Sequence, residues 1–465
     1  MKSLDISTQL LHRFATFPVP LAFGSCNDFT GRGVTLAVLD AAFTPHPDLT
    51  QPNNRIVAYY DATGEDTPLD APVSARHWHG TMTSVVAAGN GTLSDGLYRS
   101  LAPDVQVVLI KVWGPNGIDE DTIVRGLRWL LNYRERYNIR ILTASVRATD
   151  AIVSAWDDEA DVMLESLVSF GVTVVCAAGN DYRVPTPPGN SPSVITVGGV
   201  SLDGRHLIPY DPSCFGETVD GFHKPEIVAL ASQVAAPILP GTDTATEAAA
   251  LTALANASTD QIMDLARAAG VPKHLRSPEE ILSWVGERVR EQGYLSAHYK
   301  TVDGTSFAAP IVASVVAQML EANPVLHPRQ IKQILMQTAD RVDGLERERQ
   351  GFGLVNPYRA VERALAQPNQ RPQTRWFNPP RREGSGVVFR HFRPLAGVVQ
   401  VAGDFSQWQP LEMTKTPAGL WQLSVPLQPG AYAYKLVIDG DWQEDPNNLQ
   451  LTPDGLGGYN STFRV

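Results

Sequence analysis

Cysteine is scarce in this chain: three among 465 residues, Cys26, Cys176 and Cys214. So sparse and odd a set, without the close spacing of metal ligands, excludes a disulfide framework and a zinc site. Basic residues are also in deficit, 38 Lys and Arg against 49 Asp and Glu, for a formal charge of -11. Phosphate binding draws on clustered Lys and Arg, so no nucleic-acid partner is expected. No apolar run is long enough to span a bilayer, and residues 1 to 20 lack the apolar stretch and small-residue cleavage site of a secretory leader. No membrane partner is expected, and the cytoplasm is the default location.

What is present suits an ordered protein of two domains: 43% hydrophobic and 19% charged residues over a length that can bury a large core. The composition breaks once, between Gln367 and Gly386, where proline and arginine accumulate without periodicity and an extended linker is expected.

The most informative segment is Gly304-Thr305-Ser306-Phe307-Ala308-Ala309-Pro310, followed by the apolar run Ile311 to Leu320. It reads as a serine at a helix start, where backbone N–H groups and the helix dipole favour developing negative charge. A serine hydroxyl needs a histidine to take its proton and a carboxylate to orient that histidine. Both are available. Val34 to Leu39 is an apolar strand candidate that ends in Asp40, and His79-Gly80-Thr81 opens a second helix candidate running to Gly89. Val172 to Ala178 reads as a buried strand entering a turn that ends in Asn180, whose side-chain amide can donate to an oxyanion.

In this order, Asp40, His79, Asn180 and Ser306, the chain resembles the subtilisin-like serine peptidases, with further family-like strings at His46-Pro47-Asp48-Leu49, Ser191 to Gly198 and Gly351 to Asn356. The resemblance covers roughly residues 30 to 365. It implies an α/β fold of three layers on a central parallel sheet and a serine endopeptidase acting on polypeptide through an acyl-enzyme. Asp40 would orient His79, His79 would serve as base and acid, Ser306 as nucleophile and Asn180 as oxyanion donor. Ser145, Val146 and Arg147, with Ala177, Ala178 and Gly179, would line the substrate cleft. No cofactor is implied; a structural calcium, with Asp48 as a ligand, rests on the family alone.

The chain departs from the family pattern at three places. Ala41-Ala42 stands where Thr-Gly is usual, Met82 where a second histidine is common, and Arg147 where the family has a glycine beside the specificity pocket. Arg147 is expected to pair with an acidic substrate residue, to narrow the cleft, or to lie in solvent. These changes keep two alternatives open: a catalytically weak scaffold that anchors partners, and a protease dedicated to maturing one peptide. Residues 1 to 29 are read as an N-terminal extension too short for the long prodomain of secreted relatives. Between Ala231 and Asp303 a helical insertion, about 242 to 298, is expected, with capping boxes at Ser258/Gln261 and Ser277/Glu280 and stops at Gly270 and Gly293. It is either a passive decoration or a cap.

After the linker at 366 to 386, residues 387 to 465 read as an all-β, immunoglobulin-like sandwich with strand candidates at 387–392, 398–402, 420–425, 431–438 and 459–465. Val401 to Trp408 and Tyr434 to Trp442 resemble the glycogen- and starch-binding modules of the AMP-activated kinase beta subunit and branching enzymes. That resemblance implies an α-glucan site made of Trp408, Lys435, Trp442, Leu456 and Asn460, with Gly458 replacing a hydroxyl residue. A protein partner at the same module is the alternative.

Overall fold

In a computed structural model the described residues are 18–465, apart from 25–26, 75, 148–152, 156, 204–205, 368–379, 393–395, 417–419, 446–447, 449 and 456–457. They form two compact units, divided between Gln370 and Arg371.

The first unit is built on an eight-stranded sheet: β1 (Thr35–Asp40), β2 (Ile56–Asp61), β3 (Gln106–Lys111), β4 (Ile139–Ala144), β5 (Thr173–Ala177), β6 (Ile195–Asp203), β7 (His206–Pro209) and β8 (Ile227–Leu230). The order is β8-β6-β5-β4-β1-β3-β2, all parallel, with β7 antiparallel on β6. Every residue of β1 is buried, as expected of a strand covered on both faces. On one face Leu36, Val38, Val107 and Leu109 join a core with α1 (His77–Ala88) and the later helix over Thr305–Ala322. The alternate residues meet α2 (Glu120–Tyr133): a Cβ on Gly126 would lie 2.9 Å from Ile110 and 3.2 Å from Leu39. Helix α3 (Glu159–Ser169) packs beside α2. Three layers result.

Because side chains alternate along a strand, Asp40 shares the face of Leu36 and Val38. It therefore emerges at the carboxyl end of the sheet towards α1 and the Thr305 helix. Strand β1 lies between β3 and β4, where the winding order reverses, and such switch points are where open α/β sheets place their ligands.

The expected insertion forms three helices, α4 (Asp243–Ala255), α5 (Thr259–Ala268) and α6 (Pro278–Gln292), with both capping boxes in place and Gly293 ending α6 in the left-handed region. They share a small core that includes Leu251, Leu254, Ile262, Ile281 and Val285. Strands β9 (Val234–Pro237) and β10 (Tyr299–Val302) pair antiparallel at its base. The chain then enters α7 (Thr305–Ala322), which is apolar all round and largely buried, as a core helix should be. By length and composition it could cross a membrane, which corrects the expectation that no apolar run is long enough, although most of it is buried in the protein.

The second unit has two antiparallel sheets. One holds β11 (Arg381–Glu383), β12 (Gly386–Phe392), β15 (Thr414–Lys415) and β16 (Leu420–Val425); the other holds β13 (Val399–Gly403), β14 (Leu411–Glu412), β17 (Ala431–Ile438), β18 (Asp441–Gln443), β19 (Leu451–Pro453) and β20 (Tyr459–Arg464). Phe389, Val399, Val401, Trp421, Tyr434, Leu436 and Phe463 fill the space between them. The linker expected to reach residue 386 ends earlier, because Arg381–Glu383 is already a strand paired with Val387 and Val388. Its three residues are charged and exposed, so no alternation betrays it. Backbone pairing and a two-contact bridge from Arg390 to Glu383, at 2.6 and 2.8 Å, hold it instead.

Candidate active site

Asp40 is fully buried and saturated: its carboxylate accepts from Ala41 N at 2.6 Å, from His79 Nδ1 at 2.6 Å and from the Thr83 hydroxyl at 2.9 Å. Thr83 stands one turn beyond His79 on α1, so one helix supplies both groups. The helix begins two residues earlier than His79, and Gly80 lets it approach the loop after β1, since a Cβ there would collide with the Ala42 carbonyl. Ala41 and Ala42 are themselves buried, as is Met82. None of these departures removes a proton-transfer group.

With Nδ1 committed to Asp40, Nε2 of His79 is the nitrogen left for chemistry. The imidazole is one-fifth exposed, edged by Trp78 at 5.1 Å between ring centres and by Phe307 at 5.9 Å. Burial pulls its pKa down, but the charge and hydrogen bond of Asp40 outweigh that, and the net shift is upward from 6.5. Phe307 follows Ser306 directly, so the first turn of α7 lies against the imidazole.

Three devices fix that turn. Gly304 enters it at φ +137°, a conformation L side chains rarely adopt, with its N–H donated to Ala231 O at 2.7 Å. Pro310, inside the helix, has no N–H to give the Ser306 carbonyl four residues back. The Ser145 hydroxyl supplies the missing donor at 2.9 Å. From the other side Asn180 Oδ1 accepts both the Thr305 N–H at 2.9 Å and the Thr305 hydroxyl at 3.0 Å. The acceptor end of the amide is thereby used, leaving Nδ2 as the donor end beside Gly304 and the helix start.

The structure thus gathers Asp40, His79, Ser306, Asn180 and the Ser145–Arg147 and Ala177–Gly179 segments at one end of the sheet. Thr83, Thr305 and Ser145 in its pinning role were not anticipated; the spacing of Thr83 from His79 is the one signal the sequence carried. Of the three readings of Arg147, the structure disfavours a free guanidinium awaiting an acidic substrate or lying in solvent: it meets Asp181 with both terminal nitrogens, at 3.0 and 3.1 Å, because the two residues follow adjacent parallel strands.

The calcium reading of Asp48 does not fit. Its carboxylate is buried and taken by the Tyr299 hydroxyl at 2.6 Å and the Leu93 N–H at 3.3 Å, and no group of three metal-ligating side chains forms among the described residues.

In the second unit, Tyr434, Leu436 and Ile438 face the core between the sheets, so Lys435 and Val437 lie on the opposite face, where Val437 is still buried. Trp442, half exposed, pairs with Val437, and Asn460, next to the Ser461 that pairs with Tyr434, pairs with Thr452 on the neighbouring strand. Lys435, Trp442 and Asn460 thus share the open face of one sheet. Trp408 follows β13 at φ +59°. Leu456 lies outside the described residues. Lys435 is not free for a ligand as expected: it is bridged to Asp454 at 2.7 Å.

Comparison with known proteins agrees with this geometry. Residues 31–353 match the model of the subtilase family, and residues 390–465 match the glycogen recognition site of AMP-activated protein kinase. The serine protease AprX of Bacillus subtilis is 29% identical over 71% of this chain and 67% of its own length. A probable subtilase-type serine protease of Deinococcus radiodurans is 25% identical over 80% of this chain and 44% of its own, so the chain spans less than half of that relative. Fervidolysin of Fervidobacterium pennivorans, a keratinolytic enzyme related to subtilisin, has the same fold, with a TM-score of 0.51 at 19% identity over 89% of this chain and 54% of its own. With more than half of its length matched by the family model, and with the fold to go with it, the chain belongs to the subtilase family of serine proteases.

Proposed function

We propose that this chain is a serine endopeptidase whose work is done by Asp40, His79, Ser306 and Asn180. The observation that carries the reading is the 2.6 Å contact between Asp40 and His79 Nδ1, made beside a helix whose first turn presents Ser306. His79 Nε2 takes the Ser306 hydroxyl proton as the oxygen attacks the scissile carbonyl, and the imidazolium that forms is stabilised by the buried carboxylate. Negative charge on the carbonyl oxygen is met by Asn180 Nδ2 and by backbone N–H groups at the start of α7. The proton returns to the leaving amine, and water releases the acyl group through the same histidine.

The second unit supplies, in this proposal, an α-glucan contact at Trp442 and Asn460, beside the Lys435–Asp454 bridge, since a flat aromatic face suits the apolar face of a sugar ring. Glycogen co-sedimentation tests it. Cytoplasmic residence remains part of the proposal, and cell fractionation decides it. The alternative of a scaffold without activity is weighed by fluorophosphonate labelling of Ser306; the departures after Asp40 that motivated it are buried packing groups, whereas Arg147 remains a departure.

The test of the peptidase reading is digestion of an unfolded protein, with new termini mapped by mass spectrometry. Cleavage by the wild type and none by Ser306→Ala supports it; equal cleavage by both, or none by either, rejects it.

A further inference from the structure

Strands β4 and β5 run side by side until Ala144 pairs with Cys176; beyond that pair the two chains continue past the sheet as Ser145–Arg147 and Ala177–Asp181. Both continuations are tied to the first turn of α7, one through Ser145 to the Ser306 carbonyl, the other through Gly179 and Asn180 to Thr305. The resemblance to the subtilisin-like peptidases implies that a substrate residue whose carbonyl meets Ser306 and Asn180 sends its side chain into the space between these two segments.

That space is bridged. The Arg147 guanidinium reaches across to Asp181 with two parallel N–H···O bonds, the geometry that makes Arg–carboxylate pairs selective and strong. It lies against the backbone of Gly179, where a Cβ would be 3.2 Å from Arg147 Nη2. Asp181 cannot swing away easily, because it is also ion-paired with Arg183 Nε at 2.5 Å and accepts from the Cys214 thiol at 2.7 Å. The arginine's charge is answered within the chain, which removes its reason to select an acidic substrate.

We infer that the Arg147–Asp181 pair is a clasp that makes this protease selective for peptides with a small side chain, Gly, Ala or Ser, at the residue whose carbonyl is attacked. The inference rests on the peptidase reading and specifies its substrate class. A large side chain must break two charge-assisted bonds to enter, whereas a methyl group need not.

The test uses the full chain and matched fluorogenic peptides that vary only that residue: Gly, Ala, Leu, Phe and Glu. For the wild type, kcat/KM on Ala is expected to exceed that on Phe, Leu and Glu by about tenfold or more, the scale at which a pocket discriminates by size. In Arg147→Gly the Phe-to-Ala ratio rises at least tenfold, whatever happens to the absolute rates; Arg147→Lys, which keeps a long cation opposite Asp181, stays nearer the wild-type ratio. Asp181→Ala opens the clasp from the other side and must move the ratio the same way, so a misfolded Arg147 variant does not end the test. A wild type that prefers Phe, Leu or Glu, or a ratio unchanged in both opened variants, overturns the clasp while labelling of Ser306 by a fluorophosphonate leaves the peptidase reading standing. A folded wild type that neither cleaves nor labels removes both.

Discussion

The link between Ser145 and Pro310 can be tested as a coupling free energy. Pro310 deprives the Ser306 carbonyl of its helical donor, and the Ser145 hydroxyl replaces it at 2.9 Å. Ser145→Ala leaves that carbonyl without a protein partner. The site is only partly buried, so the cost belongs near the lower end of the range for an unsatisfied group, about 1–2 kcal/mol. Pro310→Ala restores an N–H four residues after Ser306, and in that background Ser145→Ala should cost less than about 0.5 kcal/mol. The predicted coupling of roughly 1 kcal/mol is larger than the few tenths by which independent sites depart from additivity. The assay is urea unfolding of the first unit, with all four proteins carrying Ser306→Ala so that self-digestion does not intrude. If Ser145→Ala costs the same with proline or alanine at 310, the hydroxyl is not standing in for the missing donor and the reasoning fails.

Asn180→Ala should lower kcat by about 10² to 10³ with little change in KM, a magnitude carried over from a subtilisin rather than worked from this site; an effect confined to KM would argue against an oxyanion role. Because Asp40 raises the His79 pKa above 6.5, kcat/KM should fall on the acid side with a midpoint above that value, and Asp40→Asn should move the midpoint down and cut turnover by about 10⁴. The same pairing contributes stability below pH 6.5 that is lost as pH rises through the elevated value, which pH-dependent melting of Ser306→Ala would register. Tyr299→Phe should destabilise the first unit by about 2 kcal/mol, because it leaves one oxygen of the buried Asp48 carboxylate unpaired; a neutral result would detach the insertion's base from this contact. Trp442→Ala should abolish glycogen co-sedimentation without changing the melting of the second unit, since the ring is exposed.

The residues proposed to carry the chemistry could be picked out because each sits in a short string whose local structure is fixed by neighbours: Asp40 at the end of an apolar strand, His79 and Ser306 at helix starts, Asn180 in a turn. The capping boxes of the insertion were legible for the same reason. What escaped depends on distant parts of the chain. Asp181 meets Arg147, and Thr305 meets Asn180, only after β4, β5 and α7 converge. Glu226 was likewise silent in sequence, yet it is buried and accepts from the nearby Lys224 Nζ at 2.7 Å and, from over a hundred residues further along the chain, from Lys332 Nζ at 2.6 Å. Strand β11 escaped for the opposite reason: it is held by backbone pairing and the Arg390–Glu383 bridge, and its exposed charged side chains carry no alternation.

The central claim is that His79 and Asp40 activate Ser306. Its most direct test is labelling by a fluorophosphonate, followed by peptide mapping of the modified site, in the wild type, Ser306→Ala and His79→Ala. The account predicts a single phosphonylated serine at 306 in the wild type and none in either variant. A folded wild type that takes no label, or one labelled as well without His79, would contradict it.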